Sequence, residues 1–197
     1  MSDNSVYYDK RSEFWRKYWR EAKPYDQYLA EHDDSYTERW YETMERLSEL
    51  EPEQVKNLQG YNREINILMY SGVWCGDCSR QGPMLKKIKN AIGKDANIRV
   101  IDREKREELQ DELRIVGAVR APMVVFLSED FWEIGTFGDR MLNVYRAKAA
   151  REIGRDFNAG ILSPNSLMNE MSEWVNIVER MLIMLQLSPP LRRRYND

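Results

Sequence analysis

Cys75 and Cys78 are the only cysteines in the 197-residue chain, and they stand two residues apart, between an apolar run and a helical one. Ile65-Asn66-Ile67-Leu68-Met69-Tyr70 is β-rich and reads as a buried strand. From Gly76 the pattern turns helical: Met84, Leu85, Ile88 and Ile92 recur at three- and four-residue steps, and Gly93 supplies a stop. A chain folded this way holds Cys75 at a strand-to-helix junction, where free backbone N–H groups and the positive end of the helix dipole stabilise a thiolate. A Cys-x-x-Cys pair in that setting has the layout of a dithiol redox site.

Two other uses of such a pair carry less weight. Structural zinc takes four ligands, and His32, the lone histidine, is far off in sequence, so an intrachain metal site is not expected; a metal shared between two chains would need the same pair twice. A purely structural disulfide suits small secreted domains without a core, and this chain is long enough to build one.

Charge and hydropathy bound the rest. With 30 Lys and Arg against 33 Asp and Glu the surface is nearly balanced, which gives no bulk electrostatic case for nucleic acid. Met1-Ser2-Asp3-Asn4 lacks the layout of a signal peptide, and no stretch approaches the ~20 apolar residues of a membrane span. The expectation is a soluble cytoplasmic protein, where thiols are kept largely reduced.

Eleven of the 22 aromatic residues fall in the first 41 positions. Phe14, Trp15, Tyr18 and Trp19 share one helical face, interleaved with Arg11, Arg16, Lys17 and Arg20, until Pro24 interrupts. Basic–aromatic interleaving can mark a nucleic-acid stacking surface. The simpler reading, that the rings pack on the domain while the charges face water, is preferred. A second helix is expected from about Ser35 to Leu50, with Trp40, Met44 and Leu47 on one side, and Pro52 suits the first turn of a short third. At the other end, Asp139 can cap a helix through Met141, Val144 and Tyr145 toward Ile153, ending near Gly160, and Ser163-Pro164 offers a new N-cap. Leu167, Met171, Trp174, Val178, Met181 and Leu185 then follow a/d spacing until Pro189-Pro190. Met168, Val175, Ile177, Leu182 and Met184 widen that face, which favours packing within the chain, on the N-terminal helices, over a homodimer contact through the C-terminal helix.

The strand, Trp74-Cys75-Gly76-Asp77-Cys78 and the helix after it resemble the thioredoxin superfamily, and more of the pattern matches. Pro83 falls where thioredoxins kink the active-site helix. Gly117-Ala118-Val119-Arg120-Ala121-Pro122 is similar to the segment ending in their cis-proline, Met123-Val124-Val125-Phe126-Leu127 to the strand after it, and Gly135 and Gly138 fit the hairpin strand and following turn. The resemblance covers about Glu64 to Ala150 and looks closest to a bacterial thioredoxin-like subgroup with a Trp-Cys-Gly-Asp-Cys site. Three positions depart from it: Met69 replaces a buried aspartate thought to manage the proton of the second cysteine, Asp77 replaces the proline between the cysteines, and Ala121 precedes the cis-proline.

The resemblance implies an α/β thioredoxin-like fold: a mixed central sheet of about four strands near 64–71, 97–102, 122–128 and 132–137, flanked by helices. The first two strands would be parallel and the last two a hairpin antiparallel to them. Residues 1–60 would form an N-terminal helical extension, 61–150 the thioredoxin-like domain and 151–197 a C-terminal helical extension packed on it. It further implies a thiol–disulfide oxidoreductase in which Cys75 is the nucleophile, Cys78 the resolving thiol, Asp77 tunes the thiol pKa and Pro122 is the cis-proline, with Trp74, Gly76 and Ala121 facing substrate. No organic cofactor or metal is implied. The partners would be a disulfide-containing protein or small molecule and an external thiol reductant or reductase, with neither nucleic acid nor membrane. The alternative is a thioredoxin-like adaptor with little redox turnover. Asp77 places a like charge near the sulfurs, so Cys75 is expected to be less acidic than the helix terminus alone would make it.

Overall fold

The computed structural model describes residues 7–104, 107–154 and 166–196. Its centre is a five-stranded sheet in the order β1-β3-β2-β4-β5. Strand β2 (Ile65–Ser71) runs parallel to β3 (Ala96–Asp102) and antiparallel to β4 (Met123–Ser128), and β5 (Glu133–Gly138) closes a hairpin with β4. The fifth strand, β1 (Lys23–Pro24), is an addition to the expected four. It pairs antiparallel with the outer edge of β3, and at two residues it is too short to show any alternation in the sequence. Pro24 suits such an edge position, where its missing N–H removes no interior ladder bond.

Helices cover both faces, so every residue of β2 is buried, and its near-continuous apolar run follows from that. Side chains alternate between two cores. Ile65, Ile67 and Met69 point to one side, with Ile98, Val100, Val124 and Phe126. That core is roofed by α5 (Gly76–Ile92), α3 (Asp34–Arg46) and α8 (Ser166–Leu187). Leu68 and Tyr70 point to the other side, with Ile101, Val125 and Leu127, under α1 (Ser12–Glu21) and α6 (Glu107–Glu112).

The aromatic N-terminal segment is spent on these cores. Trp15, Tyr18 and Trp19 of α1 are buried, Trp15 Nε1 donates to Glu133, and the Arg99 guanidinium lies 5.3 Å above the Trp19 ring while donating to the Trp19 and Ala22 carbonyls. Of the interleaved cations, Arg11 lies 5.3 Å from the Trp15 ring centroid and Lys17 4.7 Å from that of Tyr18, so they rim packed rings. After β1 come α2 (Tyr25–Ala30), α3 with Asp33 as its N-cap, and α4 (Pro52–Leu58), opened by a capping box between Glu51 and Gln54.

At the C-terminal side two expectations change. The helix α7 (Leu142–Ile153) starts after Asp139, with Met141 at its N-cap; Asp139 is buried and instead accepts a hydrogen bond from the Tyr145 hydroxyl. Gly154 ends α7 in the left-handed conformation that glycine tolerates, and the anticipated cap at Ser163-Pro164 lies outside the described residues. The α8 stripe turns onto its own sheet: Trp174 is fully buried against Phe126 and Phe137 (centroids 6.3 and 5.4 Å), and Val175, Val178, Leu182 and Leu185 join the same core. It packs on α4, α5, α7 and β5, so most of the helices it meets are not the N-terminal ones. Helix α9 (Pro189–Tyr195) follows, capped by Ser188 and pinned by Leu191.

Candidate functional site

Three segments meet at the C-terminal end of β2. The first is the loop 72–75, which drops from Ser71 into α5. Its path is held from below: Trp40 Nε1, on fully buried α3 packing, donates a 2.9 Å hydrogen bond to the Val73 carbonyl, and the Cys75 N–H bonds the Gly72 carbonyl at 2.9 Å. Gly82 of α5 lies flat against the Trp40 ring, where a β-carbon would come within 2.1 Å of it, so this helix turn and that indole are fitted together. The loop leaves Trp74 half-exposed, with the Arg103 guanidinium 5.2 Å over its ring.

Cys75 is the N-cap residue of α5 in extended conformation, and Cys78 lies inside the first turn. Both thiols are free. Their environments differ sharply: Cys75 is partly exposed, whereas Cys78 is fully buried. The Cys75 thiol is lowered to about 6, chiefly because the Cys78 side chain shares a hydrogen bond with it; burial works against this, and the Cys78 and Asp77 N–H groups of the helix terminus add to it. The Cys78 thiol is pushed up, first by burial and then by its bond to Cys75. One sulfur is therefore poised to ionise while the other holds its proton.

The second segment brings Ala121 and Pro122, joined by a cis peptide bond, opposite the sulfurs. Cys75 Sγ lies 3.8 Å from the Ala121 carbonyl oxygen. Gly138, where β5 ends, sits so close beneath that a β-carbon there would come within 2.6 Å of the Pro122 carbonyl oxygen.

The third segment is the turn into α7, which carries a residue that the sequence reading missed. Arg140 Nε and Nη2 lie 2.9 and 2.8 Å from Asp77 Oδ2, and Nη1 lies 3.8 Å from Asp139. Asp77 does oppose the Cys75 thiolate electrostatically, but as the smallest of the five influences on it. Its charge faces a guanidinium, so the net field at the sulfur is weaker than a lone carboxylate would give. Nothing in the sequence tied Arg140 to Asp77, 63 positions away; the only available signal was that a carboxylate beside two sulfurs calls for a counter-charge. One turn further along α5, Arg80 grips buried Glu170 of α8 with two 2.8 Å bonds, and Ser166 adds a third at 3.1 Å.

Trp74, Cys75, Asp77 and Ala121 are thus at least partly exposed, while Cys78 and Pro122 lie buried beside them. Gly76 lies in the same turn, and a β-carbon there would meet nothing within 4 Å, so no packing demand explains the glycine. Met69, fully buried between Val100 and Val124 in register, contributes only apolar atoms. Among the described residues no cluster of three or more His, Cys, Asp or Glu could hold a metal ion, and no helix is long and apolar enough to cross a membrane.

Comparison with known proteins bears on the family and the fold. A family model described as thioredoxin matches residues 22–152. Thioredoxin 2 of Plasmodium berghei (strain Anka) is 32% identical over 76 residues, which is 39% of this chain and 48% of that protein, so the match spans about half the relative's length. Two solved structures share the fold at low identity. One is a protein of unknown function from Pseudomonas aeruginosa (TM-score 0.63, 16% identity, 82% of this chain and 92% of the other). The other is an HIV epitope-scaffold (TM-score 0.66, 15% identity, 85% and 96%).

Proposed function

This chain belongs to the thioredoxin family, and from that premise we propose that it is a thiol–disulfide oxidoreductase working through Cys75 and Cys78. The observation that carries the reading is the contrast between the two sulfurs: Cys75 partly exposed and lowered to about 6, Cys78 buried and raised.

The Cys75 thiolate attacks a substrate disulfide. A bond forms between Cys75 Sγ and one substrate sulfur, and the other substrate sulfur leaves as thiolate. Cys78, once deprotonated, attacks Cys75 Sγ and expels the second substrate thiolate. The substrate has then gained two electrons and the protein carries a Cys75–Cys78 disulfide, which an external thiol reductant or reductase returns to the dithiol. In this scheme Pro122 closes the floor opposite the sulfurs, the Ala121 backbone meets an extended substrate segment, and Trp74 and Gly76 shape the approach. The reading takes residues 61–150 as the working domain, with residues 1–60 and 151–197 as helical extensions of it, and the cytoplasm as its setting.

The test is reduction of insulin disulfides by the purified protein with dithiothreitol as donor. Turnover should be present in the wild type and lost in Cys75→Ser. Equal turnover in the wild type and Cys75→Ser, or none in either, would remove the enzymatic reading in favour of a binding role.

A further inference from the structure

The half-exposed Trp74 ring, next in sequence to Cys75, has a fixed seat. It rests on the backbone of Gly72, where a β-carbon would come within 3.0 Å of the indole Cε2, and the Arg103 guanidinium stands 5.2 Å from its centroid. Arg103 is itself held at its backbone. Its N–H donates a 2.8 Å bond to the carbonyl of Ser71, the last residue of β2, and its carbonyl accepts from the Tyr70 hydroxyl at 3.2 Å and from Gln110 Nε2 at 2.8 Å. A guanidinium laid over a ring keeps its in-plane donors available, and holding it there in advance reduces the entropy lost when it binds an anion. The segment opposite the sulfurs brings a second cation: exposed Arg120 directly precedes Ala121, whose carbonyl oxygen lies 3.8 Å from Cys75 Sγ. The nearby carboxylates are engaged elsewhere. Asp77 is taken by Arg140, Asp139 is buried and bonded to Tyr145, and Asp102 lies beside His32. Glu104 is exposed next to Arg103 in sequence, but among the described residues no carboxylate forms an ion pair with Arg103 or Arg120. A chain of formal charge −3 thus sets two unengaged guanidiniums around its nucleophile.

We propose that Arg103 and Arg120 set the substrate preference of the site by drawing disulfides flanked by carboxylates onto Cys75. The proposal rests on the oxidoreductase reading and names its substrate class. Two sources carry this chemistry, a small dicarboxylic disulfide and an acidic segment of a protein. In either case a carboxylate seats on the Arg103 guanidinium at the edge of Trp74, with Arg120 meeting a second one. The bonds made and broken stay those of the nucleophile: Cys75 Sγ joins the near sulfur, and the far sulfur leaves as thiolate with the electron pair of the broken bond. Neither arginine touches the reacting atoms; both act on which substrate reaches them.

The experiment mixes the reduced full-length protein with dithiodipropionate (two carboxylates), hydroxyethyl disulfide (uncharged) or cystamine (two ammonium groups), and follows oxidation by acid quench and mass spectrometry. Each rate is divided by the same protein's rate with iodoacetamide, which cancels any change in thiol reactivity. Arg103→Gln should lower the ratio of the dithiodipropionate rate to the hydroxyethyl disulfide rate about two- to fivefold, the range of an exposed ion pair. Arg120→Gln should lower it by a similar factor, and Arg103→Lys should restore part of the loss. The cystamine ratio should rise in both Gln variants, which a merely structural role over Trp74 would not produce. In the wild type, without any substitution, the dithiodipropionate ratio should fall as salt rises from about 0.01 M to about 1 M, because the screening length shrinks from about 30 Å to about 3 Å. A disulfide-linked peptide dimer with glutamates beside its cysteines, set against one with glutamines, separates the sources. A loss in Arg103→Gln confined to dithiodipropionate assigns a small anionic substrate, a loss confined to the glutamate peptide assigns an acidic protein segment, and either supports the proposal. Ratios that neither the substitutions nor salt move, for small disulfides and peptides alike, would overturn it. A wild type that iodoacetamide alkylates but no disulfide oxidises would instead defeat the oxidoreductase reading itself.

Discussion

Removing the Cys78 thiol should make Cys75 less acidic, because the bond between the two sulfurs is the largest influence lowering Cys75 to about 6. A hydrogen bond to a charged group is worth about 1.5–3 kcal/mol, and one pKa unit is about 1.4 kcal/mol. Cys78→Ala should therefore raise Cys75 by about one to two units. The sign follows from the lowered value. In the wild type the thiolate is dominant above about pH 6 and disappears as pH falls through that value. In the variant the loss begins about one to two units higher. The more basic thiolate is also the better nucleophile, with a Brønsted slope of about 0.4–0.5, so it gains roughly three- to eightfold in intrinsic rate once ionised. The two curves should cross: against iodoacetamide the variant is about two- to sixfold slower near pH 6 but several-fold faster above about pH 9. The assay is alkylation rate against pH, with mass spectrometry confirming a single adduct on Cys75. Superimposable profiles, or a wild-type midpoint above about 8, near the ordinary thiol value, would refute the reasoning.

The Asp77–Arg140 pair should act on the same midpoint with opposite signs, Asp77→Asn lowering it and Arg140→Met raising it, both by less than the loss of the Cys78 bond, since Asp77 is the last of the influences on Cys75 and Arg140 acts through it; thiolate absorbance titration of both variants checks this, and shifts of the same sign would contradict it. Gly82→Ala drives a β-carbon into Trp40, which should cost about 1–3 kcal/mol of overpacking, offset by about 0.5–1 kcal/mol for removing a helical glycine. Thermal melting should show a lower Tm, and a higher one would mean that Trp40 moves freely. Trp174→Glu with Val178→Glu should unfold the chain, because both side chains are fully buried in its own core; a folded monomer by circular dichroism and light scattering would show that the α8 stripe is a dimer seam.

What could be read from the residues and what could not divides along physical lines. The strand Ile65–Tyr70, the helix after Gly76 and the β4–β5 hairpin were legible because periodicity and glycine stops are local signals. The strand β1 was hidden because two residues carry no period, and α6 because its Glu107–Glu112 run has one buried residue, Leu109, and no apolar face to detect. The cysteine site was legible from the spacing of Cys75 and Cys78. Its electrostatic frame was not: Arg140 meets Asp77 and Trp40 meets Val73 only when distant segments are folded together. Asp139 looked like a helix cap because it precedes an apolar-periodic run, but a carboxylate already bonded to Tyr145 and facing Arg140 is not free to cap. The aromatic N-terminal face could be read as a core face rather than a stacking surface, and α1 does pack its rings over the sheet.

The roles assigned to the two sulfurs are the centre of the account, and adduct trapping tests them most directly. Cys75→Ser and Cys78→Ser variants are each incubated with a disulfide-bearing protein such as insulin, quenched with acid and weighed by mass spectrometry. Cys78→Ser should accumulate a covalent adduct through Cys75, because nothing remains to resolve it. Cys75→Ser should accumulate none, because its remaining thiol is buried and holds its proton. Adducts in both variants to the same extent, or in Cys75→Ser alone, would contradict the assignment.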